Sequence, residues 1–352
     1  VSEFSKSYTL KQHTPIIHFQ GDQSGATLRA TELKPKLDMF LIDKIPTLKR
    51  RQHFNSESLD YKIRIVYNGK NVIDYPKTYV NKKKGDQGYT APYFADGTSI
   101  DQVGDIKISF TSFDTAILDA IDTYLPLFLT YENFGTRQSK GFGSYHLKDL
   151  KPNEFELLLQ KHTNPVYKLV TQGNSPKDAM EKIDLFYKEL KTGTNRPYVK
   201  SILFQYMCSK DVGWEKRWLK EKYPEIIHGD NTPVDCSPRK EYFYIRAMLG
   251  LAETNEFRPP EGKRTIRIKS ADKEGDKPKI QRFKSPITFK VFNNQIYLLH
   301  NDSYLDLLDK EFEFSLNGKV NKLKTPKSFD LKKFLSYVEK EHKKITLVGE
   351  NK

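Results

Sequence analysis

An α+β fold is what this sequence predicts: two antiparallel sheets, each backed by helices, with a mostly helical segment between them. Three observations carry that expectation. Residues 1–150 read as strand, helix, strand, strand, helix, strand. Beyond about residue 150 the apolar spacing becomes that of helices, and from about residue 280 strands return, closed by a helix. The first order is that of a ferredoxin-like (RRM-like) unit, in which two helices cover one face of a four-stranded sheet and leave the other open. At 352 residues the chain is long enough for two such domains.

The elements follow in order. "YTLKQHTPIIHF" alternates as a first strand, and "GDQSGATLRATELK" supplies a loop in which Thr31 is the expected N-cap. Leu33, Leu37, Phe40 and Leu41 then fall on one apolar helical face, with Pro35 expected in the first turn, where its missing N–H costs nothing. "YKIRIVYNG" and "DIKISFTSF" are strands around an inserted loop at about 68–104. Ile117, Ile121, Tyr124, Leu125 and Phe128 mark a second helix, and "GSYHL" the fourth strand. The N-terminal domain is therefore expected at 1–150, and 151–352 as a helical segment plus a C-terminal ferredoxin-like domain. In that second part "SPKDAMEKIDLFYKEL", "RPYVKSILFQYMC" and "RKEYFYIRAMLGL" fit helices. "KIQRFKSPITFKVFNNQIYLLH" fits a hairpin turning at Asn293 and Asn294, "EFEFSLNGKV" a strand, and "SFDLKKFLSYVEKEHKK" a capped helix.

Charge narrows the partners. Fifty-nine Lys and Arg against 45 Asp and Glu leave a net +14, a field that favours a polyanion, since neutralised phosphates release counterions. Nucleic acid is the expected partner class. No basic amphipathic helix or lipidation signal speaks for a membrane surface, and the longest apolar run, "AILDAIDTYLPLFLTY", carries Asp119 and Asp122 and is too short to span one. Two cysteines, Cys208 and Cys236, are too few for a disulfide framework, and no signal peptide pattern opens the chain, so a cytoplasmic, reducing setting is expected.

The stretch "NFGTRQSKGFGSYHL", residues 133–147, is the most informative. Gly135, Gly141 and Gly143 permit positive φ or close backbone approach, while Arg137 and Lys140 set cations beside exposed amides, a combination suited to phosphates. It is no Walker loop, because it lacks G-x-x-x-x-G-K-S/T and precedes a strand. A glycine-permissive loop that merely ends a helix remains the structural alternative. If the start of the first helix lies beside this loop, Arg29, Lys34, Arg137 and Lys140 converge into a groove for a sugar-phosphate backbone. Arg246, Arg282 and Lys284 are the corresponding candidates in the second half, against the alternative of a solvated charged face. "NKKKGDQGYTAPY" mixes Lys82, Lys83 and Lys84 with Tyr89 and Tyr93, suited to single-stranded RNA. Cys208, His228 and Cys236 lack zinc-knuckle spacing, and no G-x-S-x-G, H-E-x-x-H or dinucleotide fingerprint occurs, so neither metal nor cofactor is expected.

These residues resemble a known family. "GTRQSKGFGSYHL" is similar to the glycine-rich loop of the RAMP superfamily of CRISPR effector proteins, G-x-R-x-x-x-G-F-G-S. "TPIIHFQGDQSGATLRATELKPKL" is similar to that family's first strand, loop and "LRA-S-S-x-K-G" helix start, with Thr31 and Pro35 where Ser and Gly are usual and Lys34 at the family lysine. "YIRAMLGL" and "RFKSPITFK" resemble motifs of tandem-RAMP subunits, and the whole most resembles subunit one of the type III-B Cmr complex. The resemblance implies two RAMP domains in a non-catalytic subunit of a crRNA-guided complex, contacting crRNA and target RNA near the guide 3′ end beside other subunits. It also implies the alternative of a RAMP endoribonuclease, for which His13 and His18 would be acid or base and Asp22 a metal-dependent cleaving residue.

Overall fold

The computed structural model describes residues 3–17, 27–48, 50–53, 56–67, 73–74, 101–102, 104–195, 198–227, 241–257, 259, 262–274, 277–278, 280 and 283–349. Its principal strands are β1 (Ser5–Gln12), β2 (Lys62–Tyr67), β3 (Asp105–Thr111), β4 (Tyr145–Leu147), β5 (Tyr167–Leu169) and β6 (Thr254–Phe257). These are followed by β7 (Arg264–Ser270), β8 (Ile287–Phe292), β9 (Gln295–His300), β10 (Glu311–Leu316), β11 (Lys319–Lys324) and β12 (Ile345–Leu347). The helices are α1 (Ala30–Lys44), α2 (Thr115–Tyr131), α3 (Pro152–Leu159), α4 (Pro176–Lys191), α5 (Ile202–Cys208), α6 (Glu215–Lys222) and α7 (Leu331–Tyr337).

Two compact units result, one of Val1–Asp184, Thr288–Leu299 and Lys344–Lys352, the other of Leu185–Ile287 and His300–Lys343. The division does not fall at residue 150, because α3, β5, β12 and most of the β8–β9 hairpin group with the N-terminal sheet.

The first sheet of unit one has the order β2-β3-β1-β4, with every neighbouring pair antiparallel. Alternation along β3 buries Ile106, Ile108 and Phe110, which share a core with Leu10 of β1. The helices fill the same core with Leu33, Leu37 and Leu41 of α1 and Ile117, Ile121, Leu125 and Phe128 of α2. Each such side chain, once buried, contributes about 1.5–3 kcal/mol. The Asp114 carboxylate caps α2 by accepting from the Ala116 amide (3.0 Å). In α1 the expected cap is displaced. Arg29 is the N-cap residue and makes no side-chain cap bond, Thr31 falls inside the first turn, and Pro35 lies within the helix.

The second sheet of unit one has the order β8-β9-β5-β12. Its small core joins Phe155, Leu159, Val166, Phe292, Tyr297 and Leu299, with Phe155 stacked on Phe292 at 4.3 Å. The β8–β9 turn is at Asn293 (φ 47°) and Asn294 (φ 65°), the primed two-residue turn that the sequence suggests. In chain order both four-stranded sheets run 2-3-1-4. The established architecture is mixed α/β with antiparallel sheets and helices.

Unit two holds the antiparallel sheet β6-β7-β10-β11. Where "EFEFSLNGKV" suggests one strand there is a hairpin, turning at Asn317 and Gly318, both at positive φ. "RKEYFYIRAMLGL" is not an α-helix: Glu241–Phe243 pairs in parallel with Val212–Trp214, and Ile245–Leu249 forms a 3-10 turn. Cys208 is disulfide-bonded, against the expectation of a reduced thiol. No helix among the described residues is long and apolar enough to cross a membrane.

Candidate nucleic-acid interface

The glycine-rich loop joins α2 to β4, and its glycines are required by the protein's own packing. A Cβ on Gly143 (φ +68°) would lie 1.9 Å from the Phe134 carbonyl oxygen, and one on Gly135 (φ +81°) 2.6 Å from the Ile17 oxygen. At Gly141 (φ +84°) it would lie 2.8 Å from Cδ1 of Ile183. On one side the loop is laced to the segment after β1: the Thr136 amide donates to Ile17 (2.7 Å), the Gly143 amide to Pro15 (2.8 Å), and the Thr14 hydroxyl to Gly141 (2.6 Å). On the other side it is laced to β8. Asn133 Nδ2 donates to the Phe289 carbonyl (2.8 Å), the Phe289 amide to Ser139 (3.2 Å), and the Ser144 hydroxyl to Val291 (2.6 Å). The glycines thus let three pieces of chain meet.

The loop and the start of α1 are adjacent, through different residues from those expected. The Glu32 carboxylate accepts from the Gly135 amide (2.7 Å) and from Nε2 of Gln138 (3.1 Å). One turn on, the Lys36 ammonium donates to Glu132 (3.1 Å), to the Asn133 carbonyl (2.8 Å) and to Gln138 (2.9 Å). Lys34 lies about 200° around the helix from both. Its ammonium is held by Asp38 (2.9 Å) and the Leu59 carbonyl (2.8 Å), 3.8 Å above the Tyr61 ring. The Lys140 ammonium is buried. Of the four cations expected to converge, Arg137 is exposed and Arg29 half-buried at the head of α1. Arg137 also has φ +57°, a left-handed conformation that costs a side chain about 1–2 kcal/mol.

Behind the loop is a buried polar layer that sequence alone does not reveal. Lys290, in the alternating strand β8, points its ammonium at the carbonyls of Glu132 (2.6 Å) and Tyr145 (3.5 Å), and burial pulls its pKa down to about 7. His13 is packed against Phe292 at 4.8 Å and accepts the Asn293 amide at Nδ1 (3.1 Å), so its proton sits on Nε2. Burial, with Lys11 and Lys290 nearby, lowers its pKa to about 3. The Leu147 amide donates to Nδ1 of His146 (3.0 Å), leaving Nε2–H for the Thr130 hydroxyl (2.8 Å), and burial holds this ring neutral as well. A lysine between apolar neighbours in "ITFKVF" is the one signal that could have found this layer.

The other candidates separate. Lys284 is exposed. Arg246 is paired with the fully buried Glu215, whose second oxygen accepts the Ile245 amide (3.1 Å), so its guanidinium is committed to the protein. Arg282, His18, Asp22, His228, Cys236 and the Lys82–Tyr93 stretch lie outside the described residues. Among the described residues no cluster of His, Cys, Asp and Glu could hold a metal ion.

Comparison with known proteins adds the following. Residues 4–194 match the family model of the Cmr1 N-terminal domain, and residues 198–350 that of the Cmr1 C-terminal domain. A crystal structure of Cmr1 from Pyrococcus furiosus, in its apo form, is similar over 92% of this chain and 99% of that one, at 10% identity and a TM-score of 0.38. No curated protein matches the chain.

Proposed function

The chain belongs to the Cmr1 family, whose two domain models cover residues 4–194 and 198–350, and from that premise we propose that it is a non-catalytic RNA-binding subunit. Membership implies a subunit of a type III-B Cmr complex. On this reading the protein acts in the cytoplasm in antiviral defence, contacting crRNA, target RNA or both near the guide 3′ end. Its two RAMP domains would be ferredoxin-like, which the shared 2-3-1-4 strand order of the two sheets supports.

The observation that carries RNA binding is Arg137: an exposed cation held in a left-handed conformation, on a loop joined through Glu32 to the helix start where Arg29 sits. Strain of this kind persists where the surrounding structure overdetermines it, and here the lacing of Gly135, Gly141 and Gly143 does so. Lys284 and Arg282 extend the reading to the second half. Burial of His13 supports a non-catalytic role, since a ring with both nitrogens enclosed and a pKa near 3 exchanges no proton with a substrate at neutral pH.

The test is RNA affinity of the double variant Arg29→Ala, Arg137→Ala across a salt series. Two lost phosphate contacts lower the slope of log K against log salt by about 1.4. An unchanged slope would remove the proposed interface. Labelled repeat RNA should also stay intact with and without divalent metal; a defined cut, abolished by substituting His13, His18 or Asp22, would make the protein a nuclease instead.

A further inference from the structure

The face of the first sheet that α1 and α2 leave uncovered has a composition of its own. Parity along β1, β2 and β3 puts Leu10, Ile106, Ile108 and Phe110 into the core, so the alternate residues face the other way. The register aligns them in rows across the sheet: Arg64 opposite Ser109, which is opposite Ser7; and Lys107 opposite Thr9. Lys62 is two residues before Arg64 on the same face, about 7 Å away. Lys62, Arg64 and Lys107 are all exposed, and none has a hydrogen bond or ion pair among the described residues. Thr111, Ser109 and Thr9 are opposite Lys62, Arg64 and Lys107 in turn, Ser7 and Ser109 are bonded to each other at 2.8 Å, and the carboxylate on this face, Asp105, is held by Lys148.

We propose that this open sheet face is a second RNA-binding surface, which holds the ribose-phosphate backbone by its cations and hydroxyls and leaves the bases unread. The inference rests on the RNA-binding reading above and extends it to residues outside the glycine-rich loop. Two features of the face decide its ligand. Cations spaced about 7 Å apart along the strand direction and flanked by hydroxyls are a set that contacts phosphate and sugar. None of the outward residues of β1, β2 and β3 carries an aromatic ring, so bases find no stacking platform of the kind an RRM sheet offers. A protein partner would require an apolar anchor at its centre, and Val66, at 37% exposure, is the single large aliphatic group there among the described residues. Exposed cations with no carboxylate partner among the described residues lose little on binding a polyanion, since the counterions they displace from it are released.

The experiment measures binding of the full chain to oligo(U) and oligo(A) of equal length across a salt series. It compares the unmodified protein with the triple variant Lys62→Gln, Arg64→Gln, Lys107→Gln. Loss of three contacts lowers the salt slope by about 2 and weakens binding roughly tenfold or more at 0.15 M salt, equally for both oligomers. The charge-preserving triple Lys62→Arg, Arg64→Lys, Lys107→Arg binds as the unmodified chain does, which separates charge from folding. Unchanged affinity and slope in the Gln triple would overturn this inference alone, as would a loss confined to one base. A photo-crosslinker at Ser109 that captures an acidic protein segment in the assembled complex, and no RNA, would also overturn it. Failure of the unmodified chain to bind either oligomer would overturn the functional reading and this inference with it.

Discussion

In the loop at 133–147 the glycines face the protein and the arginine faces solvent, whereas at 244–250 the arginine is inside. Gly135, Gly141 and Gly143 seat the first loop on its own chain and leave Arg137 exposed. In the second stretch a Cβ on Gly250 (φ +101°) would lie 3.1 Å from the Ser285 backbone, while Arg246 is taken up by Glu215. Each region also buries a lysine amine on main-chain carbonyls, Lys290 on Glu132 (2.6 Å) and Lys191 on Gly250 (2.6 Å). The two read alike in sequence, a cation near a glycine turn. What separates them is burial: Arg246 is enclosed with the carboxylate of Glu215, whereas Arg137 stands at the surface, where a ligand can reach it.

The largest effect expected from breaking this contrast is at Gly143. Alanine there places a methyl against a backbone oxygen at 1.9 Å and at positive φ, so denaturant unfolding should show a loss of about 4 kcal/mol or more. Next is Glu215→Ala, which strands a buried guanidinium and should cost about 3 kcal/mol. The paired replacement Glu215→Leu, Arg246→Met should restore most of it and leave RNA affinity unchanged; weakened RNA binding in that double variant would erase the contrast drawn here.

The buried amines sharpen the comparison through pH. Lys290 and Lys191 have pKa values near 7 in the folded chain, lowered first by burial, against 10.5 when unfolded. Between about pH 7 and pH 9.5 the unfolded chain therefore binds more protons, and stability should rise with pH at up to about 1.4 kcal/mol per unit for each amine. Lys290→Met should remove one such contribution from the slope of unfolding free energy against pH while Lys191 keeps the other.

The smallest effect is at Arg137. Arg137→Gly should stabilise unit one by about 0.5 kcal/mol, because glycine relieves the left-handed strain, yet weaken RNA binding about fourfold at 0.15 M salt. A variant that gains stability without losing affinity would show that the arginine serves no ligand.

Much of unit one was legible beforehand. The faces of α1 and α2, the alternation of β1 to β3 and the Asn293–Asn294 turn are local patterns, in which apolar period and turn chemistry agree with the final structure. The candidate site was legible in place and not in its contacts. Lys34, Lys36 and Lys140 look interchangeable along the chain, but 200° of helical turn gives Lys36 to the loop and Lys34 to Asp38, and the loop's own fold buries the Lys140 ammonium. Nothing near Arg246 announces Glu215, 31 residues away, because a partner so distant in sequence has no local signature.

By itself the sequence determined the class of the protein: the strands and helices of the N-terminal sheet, a surplus of positive charge, and the motifs of a CRISPR effector family. Those properties follow from residue spacing and from composition, which no tertiary contact alters. Which cations stay at the surface and which are buried on the protein's own acceptors was decided only when distant segments met. A charged group's availability depends on the acceptors within about 3 Å of it, and in this chain those acceptors come from elements that folding alone brings together.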